Sequence, residues 1–155
     1  MSLKDNTSGN VANDPKISVA MGTLNGSKYM LEQLESLARQ RYLPFELVVC
    51  DDGSVDDTLA ILKKFKGTAP FAVKLYRNER RLGFADNFLR AARLCTGEWV
   101  SFCDQDDIWL PDKLLNCVQA IQANESAFLV LQNAYISDSE LESCERIFPN
   151  LIKPG

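Results

Sequence analysis

Strand-length apolar runs alternate with segments of helical periodicity along most of this 155-residue chain, and no other feature limits its fold as strongly. The predicted strands are Ile17–Met21, Glu46–Cys50, Val73–Tyr76, Trp99–Cys103 and Phe128–Leu131. The last of them extends, after a break, through Ala134–Ile136. Segments with apolar residues at helical spacing separate the strands. This order predicts a doubly wound α/β fold, in which helices cover both faces of a mostly parallel sheet.

Composition divides the chain into one folded unit and two flanks. Residues 1–14 are rich in Asn, Asp, Ser and Gly and lack apolar periodicity. We therefore expect a flexible lead whose first three residues are a remnant of expression. Residues 15–139 carry the α/β pattern, and residues 140–155 are weakly patterned. No apolar run approaches the ~18 residues that a membrane-spanning helix needs.

The absence of histidine excludes several kinds of catalytic site. Ser-His-Asp and Cys-His nucleophiles are impossible, as is a zinc site built on imidazole. The 17 basic and 21 acidic residues give a net charge of −4, which disfavours a nucleic-acid-binding protein. The five cysteines are scattered without metal-type spacing and indicate reduced thiols in a cytoplasmic protein.

Aspartates follow two of the predicted strands, at the sheet edge where such folds bind ligands. Asp51 and Asp52 follow the second strand, and a second group follows the fourth, consisting of Asp104, Asp106 and Asp107. We expect the five carboxylates to converge on one edge, where their mutual repulsion destabilises the fold unless a positive charge lies among them. Mg²⁺ binds one or two carboxylates together with substrate phosphates. The pattern therefore favours a site for a divalent cation and a phosphorylated ligand.

Each acidic segment also has a simpler explanation when it is taken alone. Asp51–Ser54 has the composition of a turn, and Ser54–Asp57 resembles a capping box at the start of a helix. Asp104–Asp107 is also explained as a turn, although it follows an apolar strand. The glycine-rich signatures of P-loop NTPases and of dinucleotide-binding folds are both missing.

A phosphate-accepting receiver domain also clusters aspartates at the edge of an α/β sheet. Such domains have their acidic pair after the first strand and a lysine after the last. Here Thr23 and Asn25 follow the first strand, and Gln132 and Asn133 follow the fifth. The chain departs from the receiver pattern at both places.

Four motifs, in this order, resemble those of the family-2 glycosyltransferases with the GT-A fold. They are Ile17–Asn25, Asp51–Ser54 with the downstream Thr58, Gly97–Trp99 and Asp104–Lys113. The last motif most resembles the rhamnosyltransferase-like branch of bacterial polysaccharide assembly. The resemblance covers about residues 16–139. It implies a GT-A type three-layer α/β/α sandwich with a mostly parallel, Rossmann-like sheet that is truncated here at the acceptor side.

The resemblance also implies roles for individual residues. Thr23 and Asn25 fall in the loop that surrounds the nucleotide, and Asp52 matches the aspartate that hydrogen-bonds the base, usually uracil or thymine. Asp104 and Asp106 match the Asp-x-Asp motif. In that family, the first carboxylate lies near the ribose and sugar, and the second binds Mn²⁺ or Mg²⁺, which bridges the diphosphate. The resemblance thus makes both Asp104 and Asp106 candidate metal ligands.

Residues around these motifs leave alternatives open. Arg77, Arg80 and Arg81 follow the third strand and suit either a diphosphate contact or a solvated face. Trp109 suits packing beneath the metal loop more than a platform for a sugar. Asn87 is expected to hold a loop.

The implied activity is metal-dependent, inverting transfer of a sugar from a UDP or dTDP type nucleoside-diphosphate donor to a glycan or lipid-linked acceptor. It would serve bacterial polysaccharide or cell-surface glycan synthesis, in the cytoplasm at the inner face of the membrane, with peripheral membrane association. Inverting transfer needs a general base, which this family places well downstream. Asp138 does not match that position, so we assign no catalytic base. We expect the donor-binding half of a longer enzyme, with exposed apolar surface that favours a homodimer.

Two other functions fit parts of the pattern. A non-catalytic nucleotide-sugar-binding module is favoured by the missing base, whereas the intact set of aspartates favours the transferase. A nucleotidyltransferase that makes sugar nucleotides has a similar fold. That class carries a glycine-rich loop with Arg and Lys after its first strand, which Gly22–Gly26 does not supply.

Overall fold

A four-stranded parallel sheet forms the centre of the computed structural model, which describes residues 14–137 and 144–146. Its strands are β1 (Ile17–Thr23), β2 (Glu46–Asp51), β3 (Ala72–Arg77) and β4 (Trp99–Cys103). They are arranged in the order β3-β2-β1-β4, and every pairing is parallel. The structure thus confirms the predicted fold class and the first four strands.

Helices cover both faces of this sheet. They are α1 (Ser27–Ala38), α2 (Thr58–Lys66), α3 (Phe84–Leu94) and α4 (Lys113–Ala123). On one face, the apolar residues of α1, α2 and α4 pack against Val19 and Met21 of β1. On the other face, Ala91 of α3 packs against Ala20 and Val48. Successive residues of the inner strands face opposite layers, and every residue of β1 and β2 is buried.

The strand register places the predicted site residues at one edge. Thr23 at the end of β1 is aligned with Asp51 at the end of β2, and Met21 is aligned with Cys103 at the end of β4. Neighbouring strands lie about 4.8 Å apart. The loops that follow β2 and β4 therefore leave the sheet about 10 Å apart, on either side of the loop that follows β1.

The predicted fifth strand is wrong at Phe128–Leu131, whereas its predicted extension through Ala134–Ile136 overlaps an observed strand. Phe128 is 91% exposed and Leu131 is 75% exposed, and neither belongs to a strand. Instead, β5 (Tyr135–Ser137) pairs antiparallel with β6 (Cys144–Arg146) in a separate two-stranded sheet. An apolar run becomes a strand only where a neighbouring backbone completes its hydrogen bonds. Composition carries no information about that neighbour.

No helix in the described parts of the chain is long and apolar enough to span a bilayer. The longest of them has 12 residues. Asp138 and most of residues 140–155 lie outside the described residues.

A buried carboxylate joins the strands at the opposite, amino-terminal edge of the sheet. Glu46 is 2% exposed and lies 2.6 Å from Lys74 Nζ. Its Oε1 accepts hydrogen bonds from the Ser18 hydroxyl, at 2.9 Å, and from the Thr96 N–H, at 2.6 Å. A side chain at Gly97 would collide with the Lys16 carbonyl, which gives that glycine of the Gly97–Trp99 motif a packing role. Burial alone would raise the pKa of Glu46, but the contacts with Lys74, Thr96 and Ser18 outweigh burial and lower the pKa to about 2.

Replacing Glu46→Gln should lower the free energy of unfolding at pH 7 by about 3 kcal/mol, because it leaves buried donors without their charged partner. The folded-state pKa is depressed, so the contribution is complete above the unfolded-state pKa, about 4.3. It is lost as pH falls towards 2. Urea unfolding at pH 7 and pH 3 should show a smaller difference between variant and wild type at pH 3. Glu32→Gln, on the exposed side of α1, is the control. An equal difference at both pH values would contradict the linkage.

Candidate functional site

An open cavity of about 520 Å³ lies at the carboxyl-terminal edge of the sheet. It is formed by the loops that follow β1, β2 and β3. The residues that line it are Leu24, Asn25, Asp52, Gly53, Val55, Arg77, Asn78, Glu79, Arg80 and Arg81. Of the predicted nucleotide-binding residues, Asn25 and Asp52 therefore belong to the cavity wall. Thr23 is buried behind it, and Asp104 belongs to the separate loop after β4.

Asp52 is a buried carboxylate whose hydrogen bonds are almost complete. Its Oδ1 accepts from Asn78 Nδ2 and from the Leu82 N–H, both at 2.7 Å, and its Oδ2 accepts from the Gly83 N–H at 2.8 Å. Burial raises the pKa of Asp52, but these bonds outweigh burial, so the net pKa lies below its usual range. A carboxylate oxygen accepts about two hydrogen bonds, so Oδ2 retains one acceptor position.

Two asparagines fix the position of Asp52. Asn87 on α3 donates from Nδ2 to the Cys50 carbonyl at 2.8 Å, which orients its amide. Its Oδ1 then accepts from Asn78 Nδ2 at 2.9 Å, and the same nitrogen reaches Asp52. Asn87 thus holds a loop, as expected, and Asn78 is a link that the sequence did not single out. The signal for it was slight, a lone asparagine one residue after β3.

Asp51 is structural, which corrects the expectation that five carboxylates converge on this edge. It is fully buried, and its Oδ2 accepts from the N–H groups of Gly53 and Ser54, at 3.2 and 3.0 Å. The Thr23 hydroxyl donates to its Oδ1 at 3.3 Å, and Arg77 Nε lies 3.8 Å from Oδ2. Asp51 shapes the turn that carries Asp52, so the turn explanation is correct for the first aspartate of the pair.

Asn25 connects the loop after β1 to the loop after β2. Its N–H donates to the Ser54 hydroxyl at 2.9 Å, and its Oδ1 accepts from the Val55 N–H at 2.9 Å. Its φ of 49° lies in the left-handed region, where Asn is better tolerated than most residues. The predicted capping box at Ser54–Asp57 is wrong, because Ser54 binds Asn25 instead of starting α2.

Asp56 supports the first turns of two helices at once. Its carboxylate accepts from the Thr58 N–H at the start of α2 and from the Ser27 N–H at the start of α1. Hydrogen bonds from Thr58 and Ser27 hold the pKa of Asp56 well below its usual range. A negative charge at these two helix amino termini also suits their dipoles.

The loop after β4 carries carboxylates that form no ion pair within the described part of the chain, although the charge of Lys113 acts on Asp107. Asp106 and Asp107 are exposed, and Asp104 is partly exposed with its Oδ1 accepting the Gln105 N–H at 2.9 Å. Burial, followed by the charges of Asp104 and Asp106, raises the pKa of Asp107. Among the described residues, none forms an ion pair with these three.

The donor chemistry of Asp104 and Asp106 fits a hard divalent cation. Mg²⁺ and Mn²⁺ favour carboxylate oxygens, and Mg²⁺ sites commonly combine one or two carboxylates with substrate phosphates and water. Within residues 14–137 and 144–146, no group of three or more His, Cys, Asp or Glu side chains is arranged to hold a metal ion. A cation held by this loop would therefore take its other ligands from a bound phosphate and from water.

Gln105, between these two aspartates, contacts the loop after β1. Its Oε1 accepts from the Leu24 N–H at 2.9 Å, and its Nε2 donates to the Leu24 carbonyl at 3.2 Å. Further along, Trp109 is 5% exposed and belongs to the apolar core, with Lys113 Nζ 4.7 Å from the centre of its ring. Trp109 is thus a packing residue.

Comparison with known proteins gives a consistent result. The model of the family described as glycosyl transferase family 2 matches residues 18–149. The putative glycosyltransferase EpsE of Bacillus subtilis is 30% identical over 91% of this chain and 51% of its own length. The dTDP-rhamnosyl transferase RfbG of Shigella flexneri is 32% identical over 68% of this chain and 38% of its own. The chain therefore spans about half the length of EpsE and less than half the length of RfbG.

Solved structures of glycosyltransferases share the fold. TarS of Staphylococcus aureus, in complex with UDP, superposes with a TM-score of 0.65 at 28% identity, over 79% of this chain and 41% of that one. A mannosyltransferase of Pyrobaculum calidifontis, in complex with GDP-Man and Mn²⁺, gives 0.64 at 32% identity, over 70% and 32%. The parallel sheet, the loops at its carboxyl edge and the family match over most of the chain lead to one conclusion. The chain belongs to glycosyl transferase family 2 and has the α/β fold of the GT-A glycosyltransferases.

Proposed function

We propose that this chain binds a UDP or dTDP type nucleoside-diphosphate sugar together with Mn²⁺ or Mg²⁺, and forms the donor-binding half of an inverting glycosyltransferase. The observation that carries the proposal is the arrangement around β1. The Asp52 cavity lies on one side of the loop after β1, and the acidic loop after β4 lies on the other. A diphosphate sugar bound across this edge would meet a base-binding carboxylate at one end and a cation-binding loop at the other.

The nucleobase end of the proposed site depends on Asp52. Because the pKa of Asp52 is lowered, its carboxylate stays ionised at neutral pH and acts as an acceptor. The ring N–H of uracil or thymine is a matching donor for the remaining position on Oδ2. Asn25 would form the wall beside the nucleotide, and Thr23 would act through Asp51. A pyrimidine nucleotide is supported by RfbG, a dTDP-rhamnosyl transferase, and by the TarS complex with UDP, whereas the mannosyltransferase structure contains GDP-Man.

The diphosphate end depends on the loop after β4. Asp104 and Asp106 would hold the cation, which when bound stabilises the negative charge that develops on the nucleoside-diphosphate leaving group. Arg80 and Arg81 line the cavity and suit contacts with phosphate. Arg77 instead donates to the Ser54 carbonyl at 3.2 Å and supports the wall.

We infer that the whole enzyme adds sugars to a glycan or lipid-linked acceptor of bacterial polysaccharide or cell-surface glycan, at the cytoplasmic face of the membrane. The poly(ribitol-phosphate) acceptor in the name of TarS supports this class of acceptor. A non-catalytic nucleotide-sugar-binding module is the second candidate, because we assign no general base to any described residue. Hydrolysis of a nucleotide sugar by the chain would favour the transferase, since a binding module has no such activity.

Binding of UDP should be metal-dependent. Isothermal titration with UDP, dTDP and GDP should give tighter binding of the two pyrimidine nucleotides, and Mn²⁺ should increase it. Asp106→Asn should remove most of this Mn²⁺-dependent increase. UDP affinity in the presence of Mn²⁺ should then fall roughly tenfold, because the substitution removes a charged ligand of the metal. Asp112→Asn, which alters an exposed ion pair with Arg41, is the control. Binding that responds neither to Mn²⁺ nor to Asp106→Asn would refute the metal site.

Recognition of the base should depend on the charge of Asp52. Asp52→Asn should weaken metal-free UDP binding by about tenfold or more, the scale of one charged hydrogen bond. Affinity of the wild-type protein for uridine, which carries no titrating phosphate, should stay constant from pH 8 to pH 5, because the lowered pKa keeps Asp52 ionised throughout. Asp57→Asn is the matched control, since Asp57 makes no side-chain cap hydrogen bond to α2. Unchanged UDP affinity in Asp52→Asn would remove Asp52 from the site.

A further inference from the structure

Gln105 is the residue that connects the two halves of the proposed site. It lies between Asp104 and Asp106, yet its side chain turns away from solvent and bonds the Leu24 backbone in both directions. The amide orientation is fixed by this pairing, because exchanging its oxygen and nitrogen would set donor against donor and acceptor against acceptor. Only a side chain with both a donor and an acceptor satisfies Leu24 in this way.

Gly26 provides the space that this contact needs. A Cβ atom at Gly26 would lie 2.6 Å from Cδ of Gln105, closer than side chains approach one another. The φ of Gly26 is −98°, which any residue adopts, so backbone conformation does not require glycine there. The close approach of Gln105 is what requires glycine at this position. The two residues therefore form a matched pair, although the chain separates them widely.

Within the described residues, only the hydrogen bonds of Gln105 join residues 104–107 to the loop after β1. The Asp104 carboxylate accepts only from the adjacent Gln105 N–H, and no hydrogen bond involves the side chain of Asp106. The next anchor downstream is the Trp109 N–H, which donates to the Ser36 hydroxyl at 3.1 Å. Asn25, directly after Leu24, is in turn bonded to the loop that carries Asp52.

We propose that Gln105 is a positioning residue that ties the cation-binding loop to the nucleotide-binding loop, so that nucleotide and cation bind cooperatively. The inference rests on the function proposed above. Without the tether, each ligand still meets its own carboxylate. Binding of the ligands must then supply the free energy that holds the two loops in register. As a result, the affinity gain that one ligand confers on the other falls.

The test compares wild type with Gln105→Ala, Gly26→Ala and the double variant. Titration with UDP, with and without Mn²⁺, gives the gain due to the cation. Gln105→Ala should leave metal-free UDP affinity within about twofold and reduce the Mn²⁺ gain roughly tenfold, the usual scale for residues that orient metal ligands. Gly26→Ala should reduce the gain similarly by displacing Gln105. The double variant should be no worse than Gln105→Ala alone, because the clash is then relieved.

Amide hydrogen exchange gives a readout that needs neither ligand nor activity. In the metal-free protein, the Leu24 N–H should exchange roughly tenfold faster in Gln105→Ala than in wild type. Gln122→Ala is the control, because Gln122 makes an exposed bond to Asp14 far along the chain. It should change neither measurement.

The outcomes separate this inference from the function on which it rests. A wild-type Mn²⁺ gain that survives in Gln105→Ala, or losses that add in the double variant, would overturn the role of Gln105 alone. Unchanged exchange at Leu24 would do the same. A wild-type protein that binds UDP equally with and without Mn²⁺ would overturn both this inference and the proposed metal site.

Discussion

Four successive backbone N–H groups after β1 hold the functional edge of this protein together. They belong to residues 24–27, and each donates to a side chain in a neighbouring loop or, for Thr58, at the start of α2. The acceptors are Gln105, Ser54, Thr58 and Asp56. The N–H groups at the start of a helix have no backbone partners, so those of Gly26 and Ser27, at the start of α1, need acceptors from elsewhere. Here the neighbouring loops provide them, and the loop after β1 becomes the common support of the acidic loops on either side.

Carboxylates at the two edges of the sheet differ in how far their charge is compensated within the fold. At the amino edge, Glu46 is surrounded by donors and paired with Lys74, which makes its charge part of the fold. At the carboxyl edge, Asp52 keeps one acceptor position, and the carboxylates of the loop after β4 form no ion pair with any residue that the structure describes. Charge that is satisfied within the fold stabilises it, whereas charge left unsatisfied at an open edge is available to a ligand.

The sequence predicted the fold well, because the pattern of a parallel sheet is local. Apolar runs located β1 to β4 to within a few residues, and the segments of helical spacing lie between those strands, where the structure has α1 to α3. The pattern failed at Phe128–Leu131, where an apolar run has no neighbouring strand. It also failed at Ser54–Asp57, where the Ser54 hydroxyl accepts a hydrogen bond from the distant Asn25. It also placed Asp51 with the ligand-binding carboxylates, although burial makes Asp51 part of the turn. Gln105, Asn78 and Glu46 were missed because their roles depend on partners far away in the chain.

Crystals of the chain grown with UDP and Mn²⁺ would test the central claim, that one ligand spans both sides of the loop after β1. We expect an anomalous manganese peak in contact with Asp106 and the diphosphate, and a uracil ring N–H within hydrogen-bond distance of Asp52 Oδ2. A nucleotide bound away from Asp52, or a manganese ion that contacts neither Asp104 nor Asp106, would contradict it.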